Sequence, residues 1–131
     1  MKIYITSRFK GSQENRAEIE RLCLAVRDAG IEDFHFIRDV ENFQPNFFKT
    51  QEELWENARN QIAECDALLI DITDHPSGGR LIEAGIAYAL DKPVYVIMKN
   101  DTVYKDFYTG IADAIFKYNS IEDVTDHLKS I

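Results

Sequence analysis

"DALLIDITDHPSGGRLIEAGIAYALDKPVYVI", residues 66–97, is the stretch that decides the fold. It opens on a nearly continuous apolar run, "DALLIDI" (66–72), the pattern of a strand covered on both faces in a parallel sheet. A polar turn with two glycines follows, then a segment of helical character from about Leu81 to Leu90. Asp-Lys-Pro leads into a second apolar run, "PVYVIM" (93–98). Strand, helix and strand in that order form a βαβ unit, whose two strands lie parallel.

The same alternation extends outward. "KIYIT" (2–6) reads as a first strand, followed by a helix from about Gln13 to Ala29 that Gly30 stops. Ile19, Leu22, Cys23 and Val26 fall on one face of that helix. "FHFI" (34–37) reads as a second strand and "ENFQPNFFK" as a loop broken by Pro45. Thr50 and Glu53 form a capping-box pattern opening a helix to about Glu64. After residue 98 come a short strand, "AIFKY" (114–118), and a terminal helix from about Ile121 to Leu128. This order predicts one α/β domain over residues 1–131, a doubly wound, flavodoxin-like three-layer sandwich around about five parallel strands. Ligands in such sheets bind beyond the carboxyl ends of the strands, where strand order reverses. That rule selects the loops Thr6–Ser12, Asp39–Phe48 and Asp71–Arg80.

Composition narrows the function. The chain has 131 residues, 45% hydrophobic and 29% charged, an ordinary globular balance. The net charge of −8 argues against binding a nucleic acid polymer, which needs a basic surface, but leaves room for a small phosphorylated ligand. Apolar runs are far shorter than the roughly 20 residues of a membrane span. The start of the chain turns polar too early for a secretory apolar region, so the cytoplasm is the expected compartment. Cys23 and Cys65 are too few for a disulfide framework or a zinc site and read as buried thiols. No metal or cofactor is implied.

Glu83 is the residue of most interest in the opening stretch. With a helix beginning near Leu81, its carboxylate falls in the first turn, where free N–H groups and the helix dipole favour the ionised form. Glutamate there is a common stabilising choice. At the carboxyl end of a strand it is also a preorganised anion, fit to act as a nucleophile or to stabilise a cation. Ala84, Gly85, Ala87 and Ala89 are small enough to let the helix approach the sheet.

The segments Asp71-Ile72-Thr73, Ser77-Gly78-Gly79, Glu83-Ala84-Gly85 and Asp91-Lys92-Pro93, with the opening "KIYITSRF", resemble the nucleoside 2-deoxyribosyltransferase family. The family includes relatives that hydrolyse deoxynucleoside 5′-monophosphates. The resemblance implies that Glu83 is the nucleophile that attacks the anomeric carbon, and that Tyr4 orients it. It implies a phosphate contact for Ser77, and places Ser7 and Arg8 where the nucleotide-hydrolysing branch has its others. Thr6, Gly78, Gly79 and Arg80 complete the expected substrate and phosphate site, Arg80 from its guanidinium in the glycine turn rather than from any family counterpart. The family has an aspartate on the helix before the central strand where this chain has Ala58. Asp71, Asp74 or His75 is then a candidate for the acid. The resemblance also implies a homodimer or larger assembly, for which Phe43, Phe47, Phe48 and Trp55 offer aromatic surface.

Two other readings share the fold pattern. A receiver domain needs an acidic pair after the first strand, where this chain has Thr6, Ser7 and Arg8. A flavodoxin needs a hydroxyl- and glycine-rich first loop, which "TSRFKGS" matches only loosely. A non-catalytic nucleotide- or nucleotide-sugar-sensing module remains the alternative to an N-glycosidase or deoxyribosyltransferase: Ala58 favours the module, and the Glu83-Ala84-Gly85 helix favours the enzyme.

Overall fold

A computed structural model describes residues 1–10, 15–44, 46–74, 77–103 and 108–131. The strands are β1 (Lys2–Thr6), β2 (Glu32–His35), β3 (Ala67–Asp71), β4 (Val94–Lys99) and β5 (Ala114–Tyr118). The helices are α1 (Arg16–Asp28), the short α2 (Phe36–Asp39), α3 (Gln51–Glu64), α4 (Gly78–Ala89), the short α5 (Tyr108–Ile111) and α6 (Asp123–Lys129). Every strand pair is parallel, in the order β2-β1-β3-β4-β5. This is the expected flavodoxin-like sandwich, with β3 central.

Side-chain alternation along each strand divides the core into two layers. Ile3, Ile5 and Leu69 face α1 and α6, and pack with Ile19, Leu22, Val26, Val124 and Leu128. Tyr4, Leu68, Ile70, Val94 and Val96 face α3 and α4, and pack with Ala58, Ile62, Ala84 and Ala87. Cys23 and Cys65 are free and buried, and burial pushes their thiols up to about 12 and about 11, so both stay protonated. No helix among the described residues is long and apolar enough to cross a membrane.

Four expectations shift. β2 ends at His35, two residues early, because His35 caps the next helix: its Nδ1 accepts the Ile37 N–H at 3.3 Å. As an edge strand, β2 also tolerates polar residues, and Asp33 bonds to Arg27 at 2.9 Å and Arg38 at 2.8 Å. The α4 helix begins at Gly78 rather than Leu81, so Glu83 lies in its second turn and no acidic residue occupies the first. Only Ala84 and Ala87 of the small residues are buried against the sheet; Gly85 and Ala89 face outward. Lastly, the four aromatics do not gather into one exposed patch. Phe43 is buried beneath the Arg16 guanidinium, Phe48 stacks on Phe36, and Trp55 is half-buried, while Phe47 is 49% exposed. The anticipated start of α1, at Gln13, lies outside the described residues, as do Ser12 and Pro45.

The small buried face of α4 sets how close Glu83 comes to β1. Ala87→Leu adds volume where no space exists and should lower unfolding free energy by about 1–3 kcal/mol. Ala89→Leu, on the outer face, should stay within about 0.5 kcal/mol of the parent in the same urea titration.

Candidate active site

The chain runs from β1 to β2 in one direction and returns past β1 to β3, so the loops after β1 and β3 diverge at the carboxyl edge. A cavity of about 240 Å³ opens there. Thr6 enters it from the end of β1 and Ser7 from the segment just after, His35 from β2, Glu41 from the segment after α2, and Gln51, Leu54, Trp55 and Ala58 from α3. Ser77, Gly79, Arg80 and Glu83 enter from the start of α4, and Phe9 and Phe36 supply aromatic wall.

Glu83 lines this cavity with its carboxyl deeply buried. Both of its oxygens are held: the Tyr4 hydroxyl donates to Oε2, and Thr6 Oγ1 donates to Oε1 at 2.9 Å. Tyr4 is fully buried, its ring packed against Phe34 at 5.5 Å and Phe36 at 6.4 Å. Burial and the neighbouring Glu83 charge raise the phenol's pKa, so it stays protonated and donates to the carboxylate. Burial pushes Glu83 up to about 7, against the pull of the Tyr4 and Thr6 hydrogen bonds and of Arg80; Glu41 pushes it further up. The expectation that Glu83 sits in the first turn, where a helix terminus favours the ionised form, is therefore corrected. It lies beyond the free N–H groups of α4, and desolvation outweighs what its hydrogen bonds supply.

His35 is buried and held neutral, its pKa driven down to about 3 by burial. Since Nδ1 accepts the Ile37 N–H, the ring proton sits on Nε2 and donates to Ser7 Oγ at 2.9 Å. Ser7 keeps its own proton to offer to a ligand. On the other side, Ser77 is the N-cap residue of α4, yet its hydroxyl makes no capping hydrogen bond. Gly79 lies under the Trp55 indole, with which an added Cβ would come into ordinary contact at 3.9 Å. Arg80 is buried beside them and gives one guanidinium nitrogen to the Asp71 carbonyl at 2.7 Å; burial lowers its pKa.

The structure thus brings Thr6, Ser7, Ser77, Gly79, Arg80 and Glu83 to one cavity, while Tyr4 lies buried behind its wall and reaches the site through Glu83. Thr6 arrives with its hydroxyl committed to Glu83. Asp71, Arg8 and Gly78 are not among the lining residues. Asp71 accepts from Thr73 and from the Tyr118 hydroxyl at 2.6 Å, in a polar knot on the far side of Arg80. Arg8 is drawn into the same knot by Asp74, with Glu18 at 3.5 Å. Gly78 is the exposed first residue of α4. His75 lies outside the described residues. Reading the sequence missed His35, Glu41, Gln51, Trp55 and Phe9. Glu41 lay within a loop selected by the strand-end rule, but nothing in its spacing marked it. No metal-binding group of His, Cys, Asp or Glu occurs among the described residues.

A family model described as nucleoside 2-deoxyribosyltransferase matches residues 3–125. The chain belongs to the nucleoside 2-deoxyribosyltransferase family. Membership makes it an enzyme-family fold built for cleaving or transferring at the N-glycosidic bond of nucleosides. Among solved structures it is similar to the CMP N-glycosidase BcmB of Clostridium botulinum, at 19% identity and a TM-score of 0.71 over 99% of this chain and 98% of that one. The 2-deoxyribosyltransferase of Bacillus psychrosaccharolyticus is similar at 23% identity and a TM-score of 0.76, over 96% of this chain and 91% of the other. A conserved protein of Enterococcus faecalis V583 shares the fold at 14% identity and a TM-score of 0.77, over 99% and 98% of the two chains. No curated protein sequence matches.

The Glu83 proton is bound more tightly in the folded chain, near 7, than at the ordinary value of 4.5 expected on unfolding. Between those values the folded state carries more protons, so stability drains away as pH rises through the window. Glu83→Gln should therefore be more stable than the parent by about 1–3 kcal/mol near pH 8, with the gain shrinking toward about pH 5. Urea unfolding at both pH values measures it; a gain larger at the acidic pH contradicts a buried charge at Glu83.

Proposed function

We propose that the protein breaks the N-glycosidic bond of a nucleoside 5′-monophosphate through a glycosyl-enzyme on Glu83, passing the sugar to water or to a second base. The observation that carries this reading is the Glu83 carboxylate lining the cavity with both oxygens fixed by Tyr4 and Thr6. The ionised carboxylate attacks the anomeric carbon, and the base departs with the bonding electron pair. The developing oxocarbenium charge is stabilised by the same carboxylate, which then forms the ester. Water or an incoming base attacks that carbon in turn and returns the carboxylate. With Tyr4 and Thr6 donating, one lone pair on each oxygen is occupied and the group cannot rotate away, so little reorganisation precedes attack.

The 5′-phosphate fits the β3 side of the cavity. There the Ser77 hydroxyl is spared from capping, Gly79 presents backbone without a side chain, and Arg80 supplies positive charge, with Ser7 donating from just after β1. Phe9, Phe36 and Trp55 provide flat apolar wall for a base. Ala58 at the wall favours a second reading, a sensing module of the same fold in which Glu83 only binds the sugar.

Incubation with a slow 2-fluoro-substituted nucleotide should add the sugar-phosphate mass to the peptide containing Glu83. Glu83→Gln should bind substrate but lose turnover by roughly 10³-fold or more. Because the nucleophile must be ionised, the acid limb of the parent's kcat/KM profile should lie near 7. The charged groups around Glu83 are Glu41 and Arg80, with neutral His35 and Tyr4 beside them. Full activity in Glu83→Gln ends the mechanism, and a parent that cleaves no nucleotide leaves the sensing module.

The phosphate site has its own test. A deoxynucleoside 5′-monophosphate should bind more tightly than its nucleoside, and Ser77→Ala should narrow the difference by about tenfold, the worth of one hydrogen bond to a charged group. Equal binding of the two ligands by the parent would point instead to nucleoside transfer.

A further inference from the structure

Glu41 is the second carboxylate of the cavity, and nothing described above employs it. It sits in a tightly fixed turn. Its N–H donates to the Phe36 carbonyl at 3.1 Å, its carbonyl accepts from Gln44 at 2.9 Å, and the Phe43 N–H donates to Ile37 at 2.8 Å. Asn42 and Phe43 both hold positive φ, 50° and 57°, a backbone conformation that non-glycine residues adopt at a cost. The buried Phe43 ring anchors the turn. Among the described residues no cation or hydrogen-bond donor satisfies the Glu41 carboxylate, and burial raises its pKa.

Position gives this carboxyl its role. Along the sheet, β1 lies between β2 and β3. Ser77, Gly79 and Arg80 belong to the β3 side, Glu83 is bonded to Tyr4 and Thr6 of β1, and Glu41 follows β2 and α2. A nucleotide is linear in the same sense: phosphate, sugar, base. With phosphate at the β3 side and the anomeric carbon at Glu83, the base extends toward β2. Ala58, on the facing helix, leaves that region without a carboxyl of its own.

We infer that Glu41 is the acid–base residue of this site, donating a proton to the leaving base and then taking one from the water that resolves the glycosyl-enzyme. The inference rests on the N-glycosidic reading of Glu83. In the first step the C–N bond breaks, its electron pair stays with the base, and the Glu41 proton neutralises that base. In the second, water adds to the anomeric carbon, the ester bond to Glu83 breaks, and the water's proton returns to Glu41. Protons and electrons balance with no co-reactant besides water.

The test separates leaving groups that need a proton from those that do not. Glu41→Gln should lose about 10²–10⁴-fold in turnover of a nucleoside 5′-monophosphate, while Glu41→Asp recovers part of it. Formation of the glycosyl-enzyme from the 4-nitrophenyl glycoside 5-phosphate of the same sugar, whose nitrophenolate leaves unaided, should change by less than about tenfold. Azide, a nucleophile that needs no base, should then speed release of the sugar from Glu41→Gln and yield the glycosyl azide. Equal loss on both substrates, or no loss on the nucleotide, overturns the assignment while leaving Glu83 as nucleophile. A parent enzyme that forms no glycosyl-enzyme from either substrate overturns the N-glycosidic reading itself, and this inference with it.

Discussion

The hydrogen bond between the Tyr4 hydroxyl and Glu83 ties the central part of the sheet to the helix that crosses it. A tyrosine in a fully covered strand needs a partner for its hydroxyl, and a carboxylate far inside a helix face needs donors. Each supplies what the other lacks. The arrangement stands only if α4 lies close to the sheet, which Ala84 and Ala87 permit, and only if the Tyr4 ring cannot swing away, which Phe34 and Phe36 prevent. The apolar layer on this side of the sheet is thus also the mounting of the Glu83 carboxylate.

The layout places an ionisable group where ionisation is disfavoured. Glu83 would be more comfortable neutral, and its neighbours offset only part of the desolvation. Such local discomfort is a common mark of a working site, since a carboxylate held above its ordinary pKa is a stronger base and a readier nucleophile than a solvated one. His35 shows the opposite compromise: burial strips its charge and fixes one tautomer, so that it serves Ser7 as a neutral donor. Behind Arg80, the knot of Asp71, Thr73 and Tyr118 satisfies its own polar atoms and ties the end of β3 to β5.

Reading residues 66–97 was enough to place β3, α4 and β4, because apolar strand runs and a small-residue helix are signals carried by local periodicity. Glu83 and Tyr4 were legible for a different reason, their match to a family pattern, and the structure brings the two side chains together. What periodicity could not supply was the exact start of α4. The Ser77-Gly78-Gly79 run resembled a turn, but the helix already begins at Gly78, which moves Glu83 one turn inward, where burial raises its pKa. Nor could it supply contacts set by the tertiary fold: Asp71 turned toward Tyr118, 47 residues away, and Arg8 toward Asp74. Phe43 looked like surface in a polar loop, whereas positive φ at that residue folds it into the core.

The order β2-β1-β3 has a metrical consequence. Adjacent strands of a sheet lie about 4.8 Å apart, so the two flanks of the cavity are separated by two such steps, about 10 Å. The sheet is in effect a gauge for ligand length. On the proposed reading, a free base or an isolated phosphate would engage one flank and leave the other to water, whereas a molecule carrying an anion at one end and a flat ring at the other would reach both with its middle over the end of β1. Such a span would be fixed by backbone hydrogen bonding rather than by any side chain, so substitutions in the cavity wall would leave the distance between the flanks unchanged.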